Sequence, residues 1–137
     1  MNTAQKGATF ERLVVNTLRE LGFDASRHAA SKGVVDIEAS IMEERGMVAL
    51  GIQCKNAKRP ISVEEWNTLV DHCKAQGKIP MVAEKIQGRS SFSLSYCTSR
   101  AMRGGRHLPR IEWIFVATKG KGKQKQTEVL RRNLDVA

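Results

Sequence analysis

The sequence predicts a single mixed α/β domain, and three observations lead there. The chain has 137 residues, 41% of them hydrophobic, which suits one core and is too many for a disordered chain. Apolar residues recur at helical spacing in two segments and alternate along others. The segments run helix, strands, helix, strands, an order that lays helices against a sheet.

The first helix is predicted from about Ala4 to Leu21, with Phe10, Leu13, Val14, Thr17, Leu18 and Leu21 on one face and Gly22 as its C-terminal cap. An extended piece, Phe23 to His28, leads into a loop from Ala29 to Gly33 that reads as flexible. Val34 to Ile41 reads as a strand. Its Val35, Ile37, Ala39 and Ile41 point one way, and Asp36, Glu38 and Ser40 the other. Glu43-Glu44-Arg45-Gly46 turns the chain into a return strand, Met47 to Lys55, in which Leu50, Ile52 and Cys54 alternate with Gly51, Gln53 and Lys55. Pro60 breaks the chain before a second helix, Val63 to Gln76. Ser62 and Glu65 have capping-box spacing, and Val63, Trp66, Leu69, Val70 and Cys73 form the apolar stripe, which Gly77 ends. Ile79 to Ile86 is a further strand, and Phe92 to Cys97 can form another. Ile111 to Ala117 is apolar on both faces, as in a sheet centre or against a partner subunit. Arg100, Arg103 and Arg106 surround Gly104-Gly105 in a basic loop. Residues 1–118 read as the domain and 119–137 as a basic, mobile tail in which lysine alternates with glycine and glutamine.

The formal charge of +9 favours polyanions through counterion release, and DNA is the commonest of them. Charge does not choose between DNA and RNA, or between binding and cutting. No apolar run is long enough to span a membrane, and Met1 to Lys6 lacks the apolar core of a signal peptide, so the expected location is cytoplasmic, in a host cell if the chain is viral. Cys54, Cys73 and Cys97 have no spacing that supports a zinc site and read as buried free thiols.

The residues able to carry chemistry are Glu11 in the first helix, Asp36 in the first long strand, and Gln53-Cys54-Lys55 at the end of the next. Gln53 and Lys55 are two apart and leave one face of their strand. If the two strands pair as a hairpin, an acid, an amide and a lysine converge, and Glu11 can add a second carboxylate. Phosphodiester hydrolysis uses such a set. Carboxylate and carbonyl oxygens, the backbone carbonyl of Cys54 among them, hold a hard cation such as Mg²⁺. The cation generates the nucleophile, and a neighbouring lysine stabilises developing charge. Each residue alone is ordinary, since a glutamate on a helix is usually a solvated charge. The order and the strand context carry the signal.

Lys6-Gly7-Ala8, Phe10-Glu11-Arg12, Gly22-Phe23, Ser26-Arg27, Ser31-Lys32, Val35-Asp36-Ile37 and Ile52-Gln53-Cys54-Lys55 together resemble archaeal-type Holliday-junction resolvases. The likeness runs through the second helix into Gly77 to Ala83 and covers about Gln5 to Ile86. It implies the PD-(D/E)-x-K nuclease fold, a restriction-endonuclease-like mixed β-sheet flanked by helices. It also implies Mg²⁺ as cofactor, with Mn²⁺ able to substitute and no small-molecule cofactor. The implied partners are four-way junction DNA and a second copy of the chain in a homodimer, which makes symmetric nicks in two strands; no membrane is involved. Position by position, Glu11, Asp36 and Lys55 match the catalytic core, Gln53 stands where an acid is usual, and Ser31 falls in the catalytic loop. Arg27 matches a DNA-binding position, and Lys6, Arg12, Lys32, Arg100, Arg103 and Arg106 are further candidates for phosphate contacts.

Gln53 is the departure. It keeps an oxygen but removes a negative charge. Three readings are open: a working variant, as in Mrr-like restriction nucleases; compensation by Glu38 on the face of Asp36; or an inactivating change. The functional alternatives are an Mrr-like or repair endonuclease acting on other DNA, and a catalytically impaired DNA-binding relative. Replacing Gln53→Glu is expected to tighten Mg²⁺ binding, as read by calorimetric titration. An unchanged titration shows that residue 53 does not touch the metal.

Overall fold

Residues 3–28, 33–56, 59–86, 91–105 and 107–116 are described in the computed structural model. Helix α1 spans Thr3–Glu20 and α2 Val63–Ala75. The strands are β1 Asp24–Arg27, β2 Ile37–Glu43, β3 Gly46–Lys55, β4 Ile79–Lys85, β5 Ser91–Cys97 and β6 Arg110–Val116. They form one six-stranded sheet in the order β1-β2-β3-β4-β5-β6. Neighbours pair antiparallel except β3 and β4, which are parallel. A parallel pair needs a crossover, and α2 supplies it.

Both helices stop where glycine permits a left-handed turn. Gly22 has φ 97° and Gly77 φ 69°. After α1 the N–H of Phe23 donates to Leu18 O, and that of Gly22 to Arg19 O. After α2 Lys78 donates to Cys73 O, and Gly77 to Lys74 O. Both patterns are Schellman closures. At the start of α2 the predicted capping box is present: Glu65 N–H donates to Ser62 Oγ, and Ser62 N–H donates to Glu65 Oε1.

The sheet carries a core on each face. Phe10, Val14, Val15 and Leu18 of α1 pack on Ile37, Ala39, Ile41, Leu50, Ile52, Met81, Phe92 and Leu94. On the other face Trp66, Leu69, Val70 and Cys73 of α2 pack with Val35, Ile61, Val82, Cys97 and Ala101. Trp66 is fully buried and donates from Nε1 to Ser99 O, so it belongs to the core. Helix α2 packs tightly on β3 at Gly51, where an added Cβ would lie 2.5 Å from Cys73 Sγ.

Two expectations are corrected. The first concerns the strand expected over Val34 to Ile41. The ladder begins only at Ile37, and Val35 packs in the α2 core while Ile37 packs in the α1 core. Residues two apart in a regular strand share a face, so alternation breaks at Asp36. Asp36 N–H donates to Ile52 O, while Ile52 has Ile37 as its register partner. Two residues therefore oppose one, which is the pairing of a β-bulge. The second concerns β6, which among the described residues lies at the sheet edge, so the sheet-centre reading of its two apolar faces falls and the partner-subunit reading is untouched. The side chains of Trp113 and Phe115, and the predicted tail 119–137, lie outside the described residues.

Gly51→Ala is expected to destabilise the fold by about 1–3 kcal/mol through overpacking against Cys73. Urea unfolding measures the loss, and combining the change with Cys73→Ala should restore part of it.

Candidate active site

The hairpin of β2 and β3 brings the predicted residues to one end of the sheet. The bulge at Asp36 places that residue beside the end of β3, where its Oδ2 accepts a hydrogen bond from Cys54 N–H at 2.8 Å. Gly51, Gln53 and Lys55 alternate with Leu50, Ile52 and Cys54, and Gly51 faces α2. Gln53 and Lys55 accordingly leave the sheet on the α2 side, and both donate to Glu65 Oε2, Gln53 from Nε2 at 3.3 Å and Lys55 from Nζ. On α1, Glu11 is paired with Arg27 of β1. Nε at 3.0 Å and a terminal nitrogen at 2.9 Å converge on one oxygen, Oε2.

The electrostatics follow from this packing. Burial raises the Asp36 pKa above its usual value near 3.8; the Cys54 N–H opposes the rise, and the Glu11 charge adds to it. The Cys54 thiol is pushed well above its ordinary range, first by burial and then by Asp36 and Glu11, so it stays protonated. Lys55 holds the Glu65 carboxyl below its usual range. Gln53 Oε1 is buried and has no hydrogen-bond partner among the described residues. A buried amide oxygen without a partner is unusual, and a hard cation would satisfy it. No group of three or more acidic, histidine or cysteine side chains that could hold a metal occurs among the described residues, so an ion here would rest on Asp36 together with amide and backbone oxygens, donors of the type a hard cation takes.

Glu38, the residue offered as compensating for Gln53, is engaged with two basic side chains. Its carboxylate accepts from Lys78 and pairs with His28 at 3.2 Å, and these two partners lower its pKa. Glu65 is the site residue that sequence reading missed as such. Its capping-box spacing with Ser62 explained it locally, and nothing in a linear pattern joins residue 65 to residues 53 and 55.

The described basic candidates sit on different elements. Arg12 is exposed on α1, and Arg103 is exposed in the turn before Gly104, which has φ 76°. Arg100 is paired with Asp71. The loop carrying Arg100 and Arg103 is fastened to α2, because Asn67 bonds both the N–H and the carbonyl of Ala101 at 2.7 and 3.3 Å. Ser31, Lys32, Arg106 and the side chain of Lys6 lie outside the described residues.

A mixed six-stranded sheet with a helix on each face is the restriction-endonuclease-like α/β fold. The family model for archaeal Holliday junction resolvases (Hjc) matches residues 2–106, and the chain belongs to that family. The solved structure of Hjc, a Holliday junction resolvase from the archaeal hyperthermophile Archaeoglobus fulgidus, superposes with a TM-score of 0.52 at 29% identity, covering 65% of this chain and 70% of that one. No protein of curated function matches the chain in sequence.

Asp36 carries a stability cost with a definite sign. Its folded pKa lies above the unfolded value, so the folded state holds the proton more tightly. The cost is absent below about pH 4 and grows as pH rises through the raised value. Asp36→Asn keeps an acceptor for Cys54 N–H and removes the charge. It is expected to raise Tm at pH 7, with the gain shrinking toward zero at acid pH in thermal scans.

Proposed function

We propose that the chain resolves four-way DNA junctions by hydrolysing phosphodiesters with a divalent cation, Mg²⁺ or in its place Mn²⁺. The observation that carries this reading is the Asp36 carboxylate, fastened to Cys54 N–H beside a buried and partnerless Gln53 oxygen, in a chain of the resolvase family. Asp36, Gln53 through Oε1, the Cys54 backbone carbonyl and Glu11 are the residues that would hold the ion. Such an ion, when bound, polarises the scissile phosphate and acidifies a water. Lys55, largely buried and held by Glu65, presents fixed positive charge to the phosphate as charge develops on it. Ser31 is assigned to the catalytic set by resemblance alone.

Lys6, Arg12, Arg27, Lys32, Arg100, Arg103 and Arg106 are assigned to DNA phosphates. Arg27 and Arg100 already pair with carboxylates, so they would share their donors between protein and DNA. Contacts of this kind position a substrate without reading bases, which suits recognition by shape. One site per chain and two strands to cut favour a two-fold homodimer making paired symmetric nicks. In this reading residues 1–118 form the nuclease domain and 119–137 add basic charge.

The test is incubation with a four-way junction and with a matched duplex in Mg²⁺. Paired symmetric junction cuts are the expected result, and Asp36→Ala should abolish them while leaving junction binding largely intact. Duplex cutting points instead to an Mrr-like nuclease. Tight binding without cuts in either Mg²⁺ or Mn²⁺ points to an impaired relative, for which the missing acid at position 53 is the best support.

A further inference from the structure

We propose that Glu65 is a positioning residue for the metal site. By accepting from Gln53 Nε2, it turns the oxygen of that amide toward the cation held by Asp36. The inference rests on the metal-dependent reading above and gives Gln53 a working role within it.

A glutamate at position 53 would offer two equivalent oxygens, and either could meet a cation. A glutamine offers one, and its other end is an NH₂ group that repels a cation. Glutamine therefore serves only if something selects its orientation. The selector must accept hydrogen bonds and donate none, which an ionised carboxylate does. Glu65 meets this requirement. Its Oε2 takes Gln53 Nε2 at 3.3 Å, and the opposite end of the same amide is the buried oxygen with no partner. Lys55 binds the same Oε2 and favours its ionised form.

Glu65 is itself immobilised. Its second oxygen, Oε1, accepts from Ser62 N–H at 3.2 Å, and Glu65 N–H donates to Ser62 Oγ at 3.1 Å. The capping box thus fixes the carboxylate, the carboxylate fixes the Gln53 amide, and the amide presents its oxygen.

The variant that separates orientation from folding is Glu65→Gln. Its oxygen can still accept from Ser62 N–H and keep the cap. Its NH₂ end then faces Gln53 Nε2 and Lys55 Nζ, donor against donor. Gln53 relieves the clash by turning its own oxygen to Glu65→Gln and away from the metal side. Mn²⁺ binding to the full chain without DNA, followed by electron paramagnetic resonance of the free ion, reads the effect independently of cutting. Glu65→Gln is expected to weaken Mn²⁺ binding about 10–100-fold, the usual loss when a group orienting a metal ligand is removed. Adding Gln53→Glu to Glu65→Gln should restore binding, because a carboxylate has no wrong end. Ser62→Ala removes only the Oγ acceptor of the cap and keeps the backbone N–H that holds Glu65 Oε1, so it should lower Tm and leave Mn²⁺ affinity unchanged. Unchanged affinity in Glu65→Gln, or an equal loss in Ser62→Ala, overturns the role given to Glu65 while leaving the metal site standing. Failure of the unaltered chain to bind Mn²⁺ overturns the metal-dependent reading, and this inference with it.

Discussion

The hydrogen bond from Cys54 N–H to Asp36 Oδ2 joins the first residue before β2 to the next-to-last residue of β3, and the geometry of the site turns on it. It accompanies the bulge that sends Val35 into one core and Ile37 into the other. Without that break, Asp36 would follow Glu38 in the strand's alternation, and Val35 would leave the α2 core. The bulge detaches the acid from the regular ladder and sets it beside Gln53 and Lys55. Bulges recur next to active sites because a single extra residue re-aims one side chain while the sheet on either side stays paired.

A carboxylate in that position is costly to bury, and its raised pKa records the cost. The nearby charges do not remove it. Arg27 is engaged with Glu11, and Lys55 with Glu65. The protein thus keeps an under-compensated acid and an unpaired amide oxygen together, although either alone would favour replacement by an apolar residue. That combination costs stability at Asp36, and it is chemically suited to a divalent cation.

The second helix has two tasks that meet in one residue. It is the crossover that lets β3 and β4 run parallel, and its buried stripe closes one core. Its first turn also carries Glu65 to the end of β3, where the same carboxylate completes the helix cap and binds Gln53 and Lys55. Folding of α2 and arrangement of the site are therefore coupled through a local motif.

Much of the fold was legible in the order of residues alone. Helical spacing located both helices, Gly22 and Gly77 marked their ends, and alternation marked β3, because these patterns reflect period and local hydrogen bonding within a few residues. Glu11, Asp36, Gln53 and Lys55 were also legible as candidates, since their types and order carry the chemistry. What tertiary structure decided were the relations between distant segments. The bulge at Asp36 depends on pairing with Ile52, so alternation within its own strand misplaced Val35. Glu38 shared a predicted face with Asp36 but is occupied by Lys78, forty residues away in the chain. Glu65 looked complete as a capping residue, and only the crossing of α2 over the sheet brought it to Gln53 and Lys55. Period and propensity act along the chain, whereas the partners of a buried charge are chosen by packing between segments.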